Sequence, residues 1–301
     1  MKRQRVGQNK QGLMNSQATS RSIESIDFRA AVNYLLIGTI FFSSFLLFQV
    51  QPIVSKIILP WFGGSPAVWT TSMFFFQLML LGGYCYAYGL NRFLPLNVQF
   101  GLHLVICIAA VLLLPIYPSE SWKTAAVDSQ PAWSVIQLLG QSVGIQFFLL
   151  STTAPLTQVW WHRITRESPY WLYAVSNAGS LIALVSYPVL VEPSLGMRWQ
   201  AFVWACVFAG TSGLISLCLY FSTCGHNRRA ALSDHMDNEK KKDAVPVGGT
   251  TSLKESAIWV LLSSCGSILL IAMTNHFSQN IAVVPFLWVM PLAVYLLSFI
   301  L

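Results

Sequence analysis

Eight apolar segments, each of about 20 residues, occupy most of this chain. About 20 residues of α-helix cross a bilayer core about 30 Å thick, so each segment is long enough to span a membrane. None of the segments alternates apolar and polar residues with a period of two, as membrane β-strands do. We therefore predict an all-α, polytopic transmembrane helix bundle of about eight spans. The predicted spans are 31–50, 67–88, 98–116, 132–153, 171–191, 199–221, 258–274 and 285–301.

The composition favours the same class of protein. Hydrophobic residues make up 54% of the chain and charged residues 10%, whereas soluble domains carry about 25% charged residues. The mean hydropathy is +0.57. The lipid bilayer is therefore the predicted main partner. The formal charge of +7 needs no nucleic-acid partner, because basic loops of a membrane protein meet an anionic inner leaflet.

The basic residues are distributed unevenly between the two sides of the predicted bundle. If the N-terminus is cytoplasmic, all but three of the 18 Lys and Arg residues lie on the inner side. The exceptions are Lys56, Lys123 and Arg198. The positive-inside rule then predicts that both termini are cytoplasmic. The first 30 residues are polar and resemble no cleavable signal peptide, so we expect the first span to direct insertion.

The chain divides into four predicted parts. A cytoplasmic polar tail, 1–30, precedes a six-helix membrane unit, 31–221. A polar stretch, 222–255, is predicted to be a disordered cytoplasmic linker, because it is rich in charge and poor in apolar residues. Two further spans occupy 256–301. The last span ends apolar at Leu301, where a free carboxylate would be costly, so we expect a continuation in the reading frame or a partner chain.

The sequence predicts no catalytic, cofactor-binding or metal-binding residues. Its six cysteines form no C-x-x-C pair and fall in or beside the spans, which favours buried thiols that act as small apolar side chains. Neither the tail nor the linker contains enough apolar residues for a folded catalytic domain. We therefore predict that this chain is not an enzyme and needs no cofactor.

The segment after the first span is predicted to be a rigid outer-face loop. Pro52 is expected to end or kink the first helix, because proline lacks a backbone donor. Pro66 is suited to the first position of the next helix. Two readings stay open: a hairpin anchored at the membrane interface, or a ligand site lined by Gln49, Gln51 and Lys56.

The fifth span carries small residues at helical spacing. Gly179 and Ala183, together with neighbouring pairs of the same spacing, would let two helix backbones approach closely. Asn177 and Ser180 lie in this segment and serve either packing or substrate contact. Plausible hydrogen-bonding partners for Asn177 are glutamines of the second and fourth spans: Gln77, Gln137, Gln141 and Gln146.

A third group of polar residues is predicted to lie at the outer ends of the spans. His276 follows the seventh span, Glu192 follows the fifth, and Lys56 lies in the predicted loop. These residues are a candidate outer-face site, although His276 alone is more often a loop residue than a ligand. The full candidate set for a ligand or packing site is Gln49, Gln51, Lys56, Gln77, Asn177, Ser180, Glu192 and His276.

Several stretches resemble the membrane domain of bacterial membrane-bound spermidine synthase-like proteins, the fused transporter/spermidine synthases. They are QP-x7-PWFGGSPAVWTT from Gln51, FFQLMLLGGYCYAYGL from Phe75, STTAPL from Ser151, YAVSNAGSLIALVSYPVLVEP from Tyr173, and the ending IAVVPFLWVMPLAVYLLSFIL. The resemblance implies a multi-pass protein of the bacterial inner membrane. It also implies a C-terminal cytosolic Rossmann-like domain related to aminopropyltransferases, and the glycine pattern of such a domain does not occur in these 301 residues.

Two functions follow as hypotheses. The first is a non-enzymatic membrane module that anchors or partners a polyamine-synthase-like domain outside this chain. The alternative is a small-molecule transporter or membrane sensor, with an outer-face site or a cavity between spans one, two, five and seven. No Asp or Glu lies within a predicted span, which counts against a path for polycationic polyamines.

Overall fold

Helices joined by short connections make up the computed structural model, which describes residues 31–62, 66–119, 122–125, 131–165, 168–234, 252–280, 286–298 and 300. No strand occurs among these residues. We label the long helices α1 to α8. Their bounds are α1, 31–58, continued by a 3-10 turn Leu59–Phe62; α2, Pro66–Phe93; α3, Leu96–Leu112; α4, Pro131–Leu139, Gly140–Gly144 and Ile145–Thr165; α5, Trp171–Ser186, Tyr187–Val191 and Glu192–Ser194; α6, Met197–Asp234; α7, Leu253–Asn280; and α8, Phe286–Leu297.

Five of these helices are long and apolar enough to cross a membrane: α1, α2, α4, α5 and α6. Helices α3 and α7 contain shorter apolar stretches, Leu96–Leu112 and Ala257–Leu270. The all-helical class, with several helices long and apolar enough to cross a membrane, is therefore confirmed. The count of eight spans and the cytoplasmic position of both termini stay predictions.

Two predicted boundaries differ from the structure. Helix α1 continues through Pro52 to residue 58, so the expectation that Pro52 ends the first helix, and that a loop follows it, was wrong. Helix α6 continues past the predicted end at residue 221 to Asp234, so the first part of the predicted linker is helical. Residues 235–251 of that linker, like the tail 1–30, lie outside the described residues.

Helix α4 lies at the centre of the bundle. It packs against α2 along its length and also contacts α3 and α6. Of the five long apolar helices it is the most buried. Helix α8 packs against α5 and α7. Helix α1 is joined to α6 by a hydrogen bond that the Trp204 Nε1–H donates to the carbonyl oxygen of Leu46, at 3.0 Å.

Two buried glutamines bond to the carbonyls at helix ends, which have no partner within their own helix. Gln99 on α3 donates to the carbonyl oxygens of Leu90, at 3.1 Å, and Leu94, at 2.8 Å, where α2 ends. Gln146 on α4 donates to those of Ala110, at 3.2 Å, and Leu113, at 3.3 Å, where α3 ends. The amide of Gln146 therefore serves α3, and the prediction that it partners Asn177 was wrong.

A second polar cluster lies inside the bundle between α2, α3 and α4. His103 on α3 is fully buried, and neither of its ring nitrogens has a hydrogen-bond partner in the described part of the chain. Its ring centroid lies 6.2 Å from that of Tyr86 and 6.1 Å from that of Trp160. The Tyr86 hydroxyl and the Trp160 Nε1–H likewise have no partner among the described residues.

Five cysteines are free thiols: Cys85, Cys107, Cys206, Cys218 and Cys265. Cys107 and Cys218 are buried, as the sequence predicts, and the Cys218 Sγ lies 3.2 Å from the Thr39 hydroxyl. Cys85, Cys206 and Cys265 are exposed on the outsides of apolar helices, so the prediction of buried thiols holds for only part of the set.

Candidate functional site

Helices α1 and α5 approach each other closely, as the small residues of the fifth span predict. A Cβ added at Gly179 on α5 would lie 2.6 Å from the carbonyl oxygen of Phe41 on α1, which is closer than real Cβ contacts allow. Nearby, the hydroxyls of Ser44 and Ser176 share a hydrogen bond of 2.7 Å. The absence of a side chain at Gly179 thus permits this contact between the helices.

A cavity of about 450 Å³, the central cavity, opens beside this contact. It lies between α1, α2, α4, α5, α7 and α8. The alternative hypothesis from the sequence places a cavity between the first, second, fifth and seventh spans, and the structure adds α4 and α8 to its wall. The lining residues are Ser44, Leu47, Phe48, Gln51, Ser55, Trp69, Met73, Phe76, Gln77, Leu80, Tyr84, Phe147, Leu150, Ser151, Ala154, Ser176, Asn177, Ser180, Ser267, Leu270, Leu292, Tyr295 and Leu296.

The wall of the central cavity combines apolar surface with a few neutral polar groups. None of the described residues that line it is Asp, Glu, Lys, Arg or His. Its amides belong to Gln51, Gln77 and Asn177, and its other polar groups are the hydroxyls of serine and tyrosine and the indole N–H of Trp69. Such a wall can orient an uncharged molecule through hydrogen bonds while apolar side chains bury the rest of it.

Four of the eight predicted site residues line the central cavity: Gln51, Gln77, Asn177 and Ser180. They come from α1, α2 and α5. Gln49 lies on α1 and is 8% exposed, but it is not part of the cavity wall. Because α1 continues past Pro52, Gln51 lies on a helix instead of in the predicted loop.

Lys56 and Glu192 form an ion pair at one end of the α1–α5 contact. The sequence predicts that Glu192 follows the fifth span. In the structure, Glu192 instead begins the last helical turn of α5. His276 lies on α7, is exposed, and is not part of the cavity wall. The structure therefore joins two members of the predicted outer cluster directly.

Lys56 and Glu192 lie at one end of the bundle, which we call the Lys56 end, together with Lys123 and Arg198. Lys123 lies over the ring of Trp61, with its Nζ 5.5 Å from the ring centroid. Arg198 lies over the ring of Tyr117, at 5.8 Å. Contacts between basic groups and aromatic rings are typical of a membrane interface. This arrangement is compatible with the predicted topology.

A π-helical segment, Tyr187–Val191, interrupts α5 between the central cavity and Glu192. It contains Pro188, which cannot donate the backbone hydrogen bond of a regular α-helix. The Tyr187 hydroxyl donates to the Oε1 of Gln200 at 3.3 Å, and the Gln200 Nε2 donates to the carbonyl oxygen of Leu195 at 2.8 Å. These bonds fasten the segment to the start of α6. Segments of π-helix occur frequently at functional sites.

Sequence reasoning missed the aromatic part of the cavity wall. Trp69, Tyr84, Phe147 and Tyr295 line the cavity, but none of them is among the predicted site residues. An aromatic residue in a span has the same local pattern whether it faces lipid, a neighbouring helix or a cavity. No signal in a single sequence separates these cases.

Among the described residues, no group of three or more His, Cys, Asp or Glu side chains could hold a metal ion. No model of a protein family, no curated protein and no solved structure matches this chain. The central cavity and the ion pair at the Lys56 end are therefore the observations from which a function can be argued.

Proposed function

We propose that this protein is an integral membrane protein that binds a small molecule in the central cavity, as a transporter or a membrane sensor. The observation that carries the proposal is the cavity itself, whose volume of about 450 Å³ lies within the range of about 300–1,000 Å³ typical of small-molecule sites. It brings together Gln51, Gln77 and Asn177 from three helices.

The presence of polar side chains on the apolar helices of this bundle needs a physical explanation. A buried polar group without a partner costs free energy, so apolar helices place such groups where they bond to each other, to water or to a ligand. Gln99 and Gln146 bond to other groups of the protein, the carbonyls at helix ends. In the central cavity, Gln51 donates one long bond to the carbonyl oxygen of Leu47, whereas the exposed Gln77 and the half-buried Asn177 bond to no other described residue. A role in binding accounts for their position.

Accessibility of the cavity to a neutral aqueous reagent tests this function. In a variant without native cysteines, Ser180→Cys places a thiol in the cavity wall, and Thr152→Cys places a matched thiol on α4. Both positions are buried, at 2% and 0% exposed, but only Ser180 borders the central cavity. Iodoacetamide should alkylate the first thiol at least about tenfold faster than the second. Equal rates, or no reaction at Ser180→Cys, would contradict a ligand-accessible cavity.

A second function is favoured by the motif resemblance: a non-enzymatic module that anchors or partners a polyamine-synthase-like domain at the bacterial inner membrane. The supporting stretches include Gln51 to Thr71 and Tyr173 to Pro193, which also form part of the α1, α2 and α5 walls of the cavity. We expect such a domain in the same frame after the Leu301 codon, or in a neighbouring gene whose product copurifies with this chain. Finding neither would contradict this function.

The proposed topology has its own test. If both termini are cytoplasmic, a membrane-impermeant maleimide should label Lys123→Cys on intact cells, whereas Arg92→Cys should react only after permeabilisation. The reverse pattern would overturn the orientation without affecting the fold.

A further inference from the structure

We propose that the central cavity binds an uncharged, planar molecule that presents a hydrogen-bond donor and an acceptor side by side, such as a carboxamide, a lactam or a nucleobase. This inference rests on the proposed binding function and specifies its ligand.

The charge of the ligand follows from the wall. The described residues of the wall include no acidic, basic or histidine side chain. Moving an ion from water into an apolar protein interior costs several kcal/mol even after relaxation, unless an opposite charge compensates for it. The nearest charges described on α1 and α5, those of Lys56 and Glu192, already neutralise each other. A cation or an anion would therefore lack a partner in the cavity, whereas a neutral molecule needs none.

Four serine hydroxyls of the wall already form hydrogen bonds within the protein. Ser151 donates to the carbonyl oxygen of Phe148 at 2.7 Å, and Ser180 donates to that of Ser176 at 3.0 Å. The hydroxyls of Ser44 and Ser176 bond to each other. Each of these bonds uses a hydroxyl hydrogen that could otherwise be donated to a ligand. The amides are therefore a better source of donors for a ligand than these four serines.

The amides of the wall have hydrogen-bonding capacity to spare. Gln77 and Asn177 make no hydrogen bond to another described residue, and Gln51 donates only a long bond of 3.4 Å to the carbonyl oxygen of Leu47. A side-chain amide carries two N–H donors beside a carbonyl acceptor. Its complement is therefore a group with an acceptor next to a donor. Asn and Gln recognise the edge of adenine in this way.

The shape of the ligand follows from the aromatic residues. Trp69 and Tyr84 from α2, Phe147 from α4 and Tyr295 from α8 contribute rings to the wall. Aromatic rings favour offset stacking or edge-to-face contact with other flat rings. A planar heterocycle or aromatic amide can use these faces and the amides together, whereas an acyl chain uses only the apolar surface.

Nicotinamide and nicotinate form a matched pair of probes, because they share a ring and differ in a neutral carboxamide against a carboxylate. We would reconstitute the purified chain in lipid nanodiscs and measure binding by equilibrium dialysis with both labelled probes, using empty nanodiscs as the blank. Binding of nicotinamide should exceed that of nicotinate by at least about tenfold. Unlabelled uracil should compete with nicotinamide.

Three variants identify the site. Asn177→Leu and Gln77→Leu each keep the approximate volume and remove the amide, and each should weaken nicotinamide binding by about tenfold. Gln137→Leu is the matched control, since Gln137 is exposed on α4 outside the cavity, and it should bind as the unmodified chain does. Gln77 is itself exposed, so its replacement keeps the test valid if Asn177→Leu fails to fold.

Equal binding of nicotinate, or nicotinamide binding that survives both amide replacements, would overturn the proposed ligand class. If neither probe binds while iodoacetamide still reaches Ser180→Cys, the ligand class is wrong but the proposed function stands. If the thiol is not reached either, both proposals fail.

Discussion

The close approach of α1 and α5 at Gly179 predicts a measurable effect of adding one methyl group. In Gly179→Ala the new Cβ would lie 2.6 Å from the carbonyl oxygen and 3.4 Å from the carbonyl carbon and the Cα of Phe41. These atoms belong to the backbone of α1, so no side chain can rotate away. The helices must separate, and the Ser44–Ser176 hydrogen bond must lengthen with them.

The magnitude follows from two opposing terms. Overpacking of a tight contact costs about 1–3 kcal/mol. Replacing glycine by alanine within a helix gains about 0.8–1 kcal/mol. Gly210→Ala on α6 is the matched control, because no heavy atom lies within 4 Å of a Cβ added there. It should therefore show the gain without the cost. We expect Gly179→Ala to be less stable than Gly210→Ala by about 1–3 kcal/mol.

The assay is reversible unfolding in mixed detergent micelles with increasing sodium dodecyl sulfate, followed by tryptophan fluorescence. Trp204 is a suitable reporter, because it is buried and donates a hydrogen bond to α1. Nicotinamide binding provides a second readout, since Asn177 and Ser180 flank the substituted position. Equal stabilities of the two alanine variants would refute the argument that the absence of a Cβ at Gly179 allows the contact.

Three further predictions concern polar groups. Lys56→Met and Glu192→Gln should each destabilise the chain by only about 0.2–1 kcal/mol, because the paired side chains are 39% and 38% exposed, and the double variant should cost no more than either single one. Gln146→Leu should lower the free energy of unfolding by about 1–3 kcal/mol, because it leaves carbonyls at the end of α3 without a donor. Gln141→Leu, at an exposed position, is the control and should change the free energy of unfolding by less than about 0.5 kcal/mol. His103→Phe should stabilise the chain by about 1–3 kcal/mol, because it removes two buried nitrogens that lack partners among the described residues; destabilisation would show that these nitrogens are bonded in the folded protein. The same unfolding assay measures all three.

The helices themselves could be predicted from the sequence because apolar segments of spanning length have a direct physical requirement in lipid. The start of α2 at Pro66 also agrees with the prediction, since the missing donor of proline is not needed in a first turn. Pro52 shows the limit of this reasoning. The residue lacks the same donor, yet α1 continues through it to residue 58.

The central cavity could be predicted only in part, because its wall depends on which helices are neighbours. Asn177 and Gln77 were candidates because amides are rare in apolar segments. Gln146 has the same local sequence character, but its neighbour is the end of α3, and it serves as a cap. Periodicity identifies a polar residue on a helix face without identifying the group opposite it. The arrangement of helices decides whether such a residue binds, caps or packs.

The π-helical segment Tyr187–Val191 determines where Glu192 lies around the axis of α5 relative to Ser180. Twelve residues separate Ser180 from Glu192, which at about 100° per residue would place Glu192 about 120° around a regular α-helix from Ser180. A π turn takes up one additional residue, and this reduces the offset to about 20°. Glu192 therefore shares the face that Ser180 turns towards α1, where Lys56 lies. In any relative, the number of residues between these two positions matters as much as their identity, because the loss of one residue would rotate the carboxylate by about 100° away from the lysine.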